Sequence, residues 1–255
     1  MPERRLVFLH GFTQTHHHWH RCASLIDRTL GDDPTLVFVD LPGHGLSSGD
    51  RLTIEQAALE MVALACDGTY IGYSMGARHA LAAACAGAPE IERLVLIGGT
   101  AGLADAGARH ARVADDEAKA VHLEAVGVEA FVDEWLAQPM FAGLPVTSDD
   151  RRHRLRNTVD GLAASLRLAG TGAQAPLWDV LPTIAIPVLV LAGARDSKFT
   201  EIGRRLAGAI PAATFAPIPD AGHAAHTEAP EALASLVGDW LLAQPSARPT
   251  ASSAP

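Results

Sequence analysis

The 255-residue chain is 48% hydrophobic and 19% charged, with 23 glycines and 16 prolines, which fits a packed core with many tight turns and excludes an intrinsically disordered chain. Its formal charge of −9, with no block of lysine and arginine to offset it, repels phosphate backbones and anionic lipid, so neither nucleic acid nor a membrane is an expected partner. Cys22, Cys66 and Cys85 stand at unrelated spacings that fit neither a disulfide framework nor a zinc motif, and a reducing cytoplasm is the expected compartment.

The first apolar run, LVFLH (6–10), reads as a strand and is too short for the apolar core of a signal peptide. It enters the turn Leu9-His10-Gly11-Phe12, where the backbone N–H of Phe12 can be aimed at a developing negative charge. The tract HHHWH (16–20) invites a metal reading, but neighbouring histidines of a regular α-helix point apart and no clustered acid or cysteine completes a coordination sphere. No metal is expected. LVFVD (36–40) is a second strand, and Thr53 with Gln56 forms a capping box for a helix running to about Cys66.

A third strand, TYIGY (69–73), runs into Gly72-Tyr73-Ser74-Met75-Gly76, and the helical segment MGARHALAAACA follows at once. This is G-x-S-x-G in the strand-turn-helix setting that a nucleophile elbow needs, with glycines allowing the backbone to pack closely around an exposed serine. The amide of Met75, with that of Phe12, forms the expected oxyanion hole. Arg78 lies four residues beyond Ser74, on the same helical face near a helix N-terminus, and is read as a clamp for a substrate carboxylate.

LVLIG (94–98) is a fourth strand, after which the rhythm of strands stops between Gly99 and Thr183. Helical periodicity takes over, in VEAFVDEWLAQ and after the Thr147-Ser148-Asp149 start, so residues of about 99–182 are expected to form a helical lid. The strand pattern resumes with PVLVLAG (187–193), followed by Asp196 in GARDSKF, and with TFAPI (214–218), followed by His223 in DAGHAAH. A serine hydroxyl needs a histidine to take its proton and a carboxylate to fix that histidine's tautomer. Ser74, Asp196 and His223 appear in the chain order this chemistry takes in α/β sheets, while Asp220 and His226 are read as structural neighbours. A last helix, PEALASLVGDWLLAQ, precedes a Pro/Ser/Ala-rich tail, and residues 244–255 are expected to be disordered. The six strands are continuous rather than alternating in hydrophobicity, which calls for a doubly wound, mostly parallel α/β sheet covered on both faces. Residues 1–243 are expected to form one domain, with its core in 1–98 and 183–243.

Over nearly its whole length the chain resembles the α/β-hydrolase-fold enzymes of menaquinone biosynthesis called 2-succinyl-6-hydroxy-2,4-cyclohexadiene-1-carboxylate synthases. The segments that carry the resemblance are LHGFTQTHHHW, VDLPGHGLSS, GYSMGARHAL, EWLAQPMFAGL, GLAASLRLAGTGAQAPLW, GARDSKF and AGHAAHTEAP. Those of the lid, QPMFAGL and GLAASLRLAGTGAQAPLW, are specific to this family, whereas the others are widespread in the fold. The resemblance implies a lyase without cofactor: the serine, activated by His223, removes a ring proton and pyruvate is eliminated. It further implies that Tyr73, Arg78, Trp135 and Arg156 bind the anionic substrate, although Trp135 reads equally well as lid core and several basic side chains of RRHRLRN could exchange roles with Arg156. A monomer or small homo-oligomer is expected. Two departures stand out: LVFLHG begins too early to leave room for an N-terminal hairpin, so a smaller sheet is expected, and Ala77 stands where the family often has glycine. The alternatives are a serine hydrolase using the same triad, acting on an ester or a carbon–carbon bond, and a non-catalytic ligand-binding protein of the same fold.

Overall fold

The computed structural model describes residues 4–244, so nearly all of the tail expected to be disordered lies outside the described residues. Six strands form one sheet: β1 (Arg5–Leu9), β2 (Thr35–Val39), β3 (Gly68–Tyr73), β4 (Ile91–Ile97), β5 (Val188–Gly193) and β6 (Ala213–Ile218). Their order across the sheet is β2-β1-β3-β4-β5-β6 and every neighbouring pair is parallel. The expected run of apolar strands is therefore present, without an antiparallel hairpin before β1 among the described residues.

Alternation along each strand divides the core into two layers. Val7 and Leu9 pack with the helices α2 (Ile54–Ala65), α3 (Met75–Cys85) and α7 (Ser197–Ala209), while Leu6 and Phe8 pack with α1 (His20–Leu30) and α9 (Pro230–Ala243). Because both faces are covered, consecutive residues of β3 and β5 are buried throughout. Thr53 caps α2 through the expected box with Gln56.

Between β4 and β5 the chain is helical, as expected: α4 (Ala106–Leu136), α5 (Ser148–Arg154) and α6 (Val159–Ala169). Gly127, at φ +80°, breaks α4 into two helical pieces, a conformation that glycine adopts without steric cost. Leu123, Phe131, Leu162 and Leu166 form a separate small core within this insertion. Ion pairs tie its helices together, Arg167 bridging α6 to Glu117 and Glu124, and Arg151 bridging α5 to Glu129 and Asp133. A short helix, α8 (Ala225–Glu228), precedes α9.

Strand order reverses beside β1: the chain goes from β1 outward to β2, then returns past β1 to β3. Loops leaving the carboxyl ends of β1 and β3 diverge from such a point and open a crevice between them, which is where open α/β sheets bind ligands. The loop after β1 carries Phe12 and the loop after β3 carries Ser74. No helix of the described residues is long and apolar enough to cross a membrane.

Among the histidines buried at this end of the core are His10, His44 and His79. His10 donates Nδ1–H to the Gly11 carbonyl and accepts the Leu41 N–H at Nε2, which fixes a neutral ring. Burial pushes their pKa values down, to about 4 for His10 and about 3 for His44 and His79. An unfolded histidine takes up its proton near pH 6.5, so between that pH and about 4 the unfolded chain binds protons that the folded chain refuses. Their stabilisation is complete above pH 6.5 and falls on acidification by roughly 1.4 kcal/mol per histidine per pH unit. Thermal melts are expected to show Tm dropping steeply from pH 6.5 to 5; an unchanged Tm over that range would show that these rings can protonate in the folded state.

Candidate active site

Ser74 occupies the sharp turn between β3 and α3 at φ +50°, ψ −104°, a backbone conformation rarely adopted by a side-chain-bearing residue. Its neighbours explain how the turn survives. A Cβ on Gly76 would collide with the Leu9 carbonyl, and one on Gly72 with the backbone of Gly76, so glycine at both positions lets the elbow sit against β1. The Gly76 N–H donates to the His10 carbonyl at 3.0 Å, tying the elbow to the turn after β1. Ala77 is accommodated because Gly99 faces it: a Cβ there would come within 2.6 Å of the Ala77 methyl.

His223 and Asp196 arrive on the loops after β6 and β5. The His223 Nε2 lies 3.2 Å from Ser74 Oγ, and its Nδ1 lies 2.8 Å from Asp196 Oδ2. The other oxygen of Asp196 accepts the Phe199 N–H as the N-cap of α7, so both carboxylate oxygens are fixed. Burial alone would raise the Asp196 pKa, but the His223 hydrogen bond and the Phe199 amide outweigh it and hold the carboxyl below its ordinary value. An anionic Asp196 orients the imidazole with Nδ1–H toward itself and leaves Nε2 free to take a proton from Ser74. Asp220 is exposed and paired with Arg195, and His226 is buried with Gln14 donating to its Nε2, so neither competes for the serine.

Above the serine lies a cavity of about 280 Å³, walled by the sheet's loops on one side and the helical insertion on the other. Phe12, Ser74, Met75 and His223 form its floor. Met75 is the first residue of α3, so its amide lies outside the helix's own hydrogen-bond ladder. Arg78 also faces this space, and it is 7% exposed. Its Nη1 donates to the Ala169 carbonyl at 2.8 Å and to Gln174 Oε1 at 3.4 Å, both neutral acceptors. Among the described residues no carboxylate lies within ion-pair distance of this guanidinium. Burial, followed by the repulsion of nearby Arg112, lowers its pKa to about 10 while Asp116 acts in the opposite sense, and the group stays charged at neutral pH. A buried cation without a counterion, beside a poised serine, is a place for an anion to bind.

The turn holding Phe12 is itself held by the insertion. Thr13 adopts φ +66°, a strained value for threonine. Its N–H donates to His44 Nε2, its carbonyl accepts from Asn157 Nδ2 at 2.7 Å, and its hydroxyl accepts from Arg154 Nη1 at 2.6 Å. Arg154 is in turn neutralised by Asp150, whose carboxyl lies well below its usual range because hydrogen bonds and charge from His18 and Arg154 outweigh its burial.

Comparison with known proteins agrees with this geometry. A model of the alpha/beta hydrolase family matches residues 6–236. The putative 2-succinyl-6-hydroxy-2,4-cyclohexadiene-1-carboxylate synthase of Bacillus subtilis (strain 168) is 33% identical, the match covering 92% of this chain and 89% of the relative. The synthase of the same name from Klebsiella pneumoniae (strain 342) is 34% identical, covering 92% and 93%. The structure of MenH from S. aureus superposes with a TM-score of 0.85 at 30% identity, over 94% of this chain and 93% of that one. The chain belongs to this synthase family.

Of the four residues that resemblance to the synthase family nominates for substrate, two line the cavity. Arg78 does so as described, and Trp135 does so from the end of α4, its indole Nε1 buried without a hydrogen-bond partner. Tyr73 is buried beneath the site, 5.4 Å from the His223 ring and 4.2 Å from that of His226, and is not among the residues that line the cavity. Arg156 is exposed and is not among the residues that line the cavity. Two basic residues reach the cavity from the insertion, Lys119 and Arg112, both on α4, and the Arg112 Nε donates to Asp116 at 2.7 Å. Sequence reasoning passed over them because Arg112, Asp115, Asp116 and Lys119 have the spacing of a solvated helix face with internal ion pairs. Lys198 also lines the cavity, which therefore holds four cationic side chains against the two carboxylates of Asp115 and Asp116.

Proposed function

We propose that this chain is a carbon–oxygen lyase that eliminates pyruvate from 2-succinyl-5-enolpyruvyl-6-hydroxy-3-cyclohexene-1-carboxylate, giving 2-succinyl-6-hydroxy-2,4-cyclohexadiene-1-carboxylate. The observation that carries this reading is Arg78, a buried guanidinium with no carboxylate partner on the wall shared with Ser74. A neutral ester would leave that charge uncompensated, whereas the proposed substrate bears three carboxylates, and family membership supports the same choice.

The ring carbon carrying the succinyl ketone is the acidic one, since its carbanion is delocalised onto the ketone oxygen. Ser74 Oγ, with its proton passed to His223 Nε2, removes the proton from that carbon. The Phe12 and Met75 amides stabilise the enolate oxygen as charge develops there. As the electron pair returns it is relayed through the ring double bond, the ring becomes a diene, and the bond from the ring to the enolpyruvyl oxygen breaks. The leaving group takes up a proton and ends as pyruvate. No acyl-enzyme forms and no cofactor enters. Arg78 and Arg112 hold substrate carboxylates, and the unpartnered Trp135 N–H is placed to donate to a substrate oxygen. The helical insertion serves as the lid that keeps water from the enolate. Three free cysteines, Cys22, Cys66 and Cys85, fit a reducing compartment such as the cytoplasm.

The test is to incubate the purified protein with the enolpyruvyl substrate, follow pyruvate through a coupled dehydrogenase, and run a neutral aryl ester in parallel. Pyruvate release well above ester cleavage is the expected result. Ester cleavage without pyruvate would retain the triad and discard the lyase.

A further inference from the structure

No residue of the tract HHHWH lines the catalytic cavity, and none takes part in the reaction above. The tract is not regular α-helix: residues His16–Trp19 form a 3₁₀ turn that leads directly into α1 at His20. In such a turn residues three apart eclipse one another, which aligns His17 with His20, and His16 sits one α-turn before His20. The sequence expectation that these rings point apart therefore fails. One ring nitrogen from each of His16, His17 and His20 lies within 4.8 Å of the others.

Their surroundings favour ligation. The His16 Nδ1 lies 2.8 Å from Asp40 Oδ2, and the same carboxylate also accepts the His16 backbone N–H. With Nδ1–H committed to Asp40, the lone pair of His16 is on Nε2, the carboxylate–histidine arrangement that orients a metal ligand and raises its basicity. Among the described residues no hydrogen bond engages the ring nitrogens of His17 or His20. Phe38 meets the His20 ring edge to face and His153 of α5 stacks on His17 at 4.0 Å, which restricts both rings.

We propose that His16, His17 and His20 form a surface site for one divalent transition-metal ion of the zinc, nickel and copper class. Three imidazole nitrogen donors select this class over magnesium or calcium, which require oxygen donors. Closing to a metal–nitrogen distance of about 2.0–2.1 Å brings the ligand nitrogens to roughly 3.4 Å apart, a contraction that side-chain rotation at these partly exposed rings can supply. The fourth position remains open to water.

The experiment is calorimetric titration of zinc chloride into the untagged full chain, alongside His20→Gln, His17→Ala with His20→Gln, and a control, His110→Gln, on exposed α4. Saturation at one ion per chain is expected for the unaltered protein and the control, with affinity at least tenfold weaker in His20→Gln and abolished in the double variant. Zinc should also raise Tm in the unaltered chain and not in the double variant. His20 is exposed, so His20→Gln is readable even if loss of the His17 stack impairs folding. Absence of saturable binding, or binding unchanged in His20→Gln, overturns the site. Pyruvate release should be the same in His20→Gln as in the unaltered protein, so the outcome is independent of the lyase reading.

Discussion

Ser74→Ala is expected to lower the rate of pyruvate release by about 10²–10⁴-fold, the usual contribution of a positioned proton-transfer group, with substrate dissociation constants changed little. The serine oxygen is the atom between His223 Nε2 and the cavity, and removing it leaves the imidazole without its partner at 3.2 Å. Arg78 and Arg112 still hold the substrate, so binding persists while the proton stays on the ring. His223→Ala should lose a similar amount, and the double variant little more, because the two act as one unit. Turnover retained in Ser74→Ala would show that another group is the base and would return the elbow to a structural role.

Arg78→Met separates substrate binding from folding. Its buried guanidinium makes two hydrogen bonds to neutral acceptors and no ion pair among the described residues. Loss of a buried, hydrogen-bonded charge contact to substrate costs about 2–5 kcal/mol, so KM is expected to rise by roughly 30-fold or more. In the substrate-free protein the opposing effects nearly cancel. Relief of the desolvation that lowers the guanidinium to about 10 contributes roughly 3 kcal/mol, and orphaning the Ala169 carbonyl and Gln174 Oε1 costs about 1–3 kcal/mol each. Steady-state kinetics and a thermal melt on the same preparation make the test: a large rise in KM with Tm within a few degrees of the parent supports the anion site. A collapse in Tm with unchanged kinetics of the surviving fraction would make Arg78 a structural residue.

Much of the scaffold was legible because parallel strands buried on both faces must be continuously apolar, and all six runs proved to be strands. The elbow and its partners were legible for a similar reason: Gly72, Gly76 and the loops after β5 and β6 are positions where backbone geometry restricts residue type. The side chains of the insertion were not. Arg112 stands among acidic neighbours on α4 and Arg156 in a basic run just after α5, and only the way α4 folds back over the sheet brings the first to the cavity while the second stays in solvent. The histidine tract failed differently. Whether His16, His17 and His20 diverge or converge depends on a choice between 3₁₀ and α winding that composition does not encode.

The hydrogen bonds at Thr13 bear on how such proteins diversify. Asn157 and Arg154 belong to the insertion, yet the backbone they hold belongs to the turn that presents Phe12. The insertion is therefore not an interchangeable module. Grafting onto this sheet a cap from another hydrolase would remove the donors that keep Thr13 in its left-handed conformation, and the first amide of the oxyanion pair would drift even though no core residue had been altered. Substrate range and catalytic alignment are inherited together here, and a lineage exchanging one must re-establish the other within the same few substitutions.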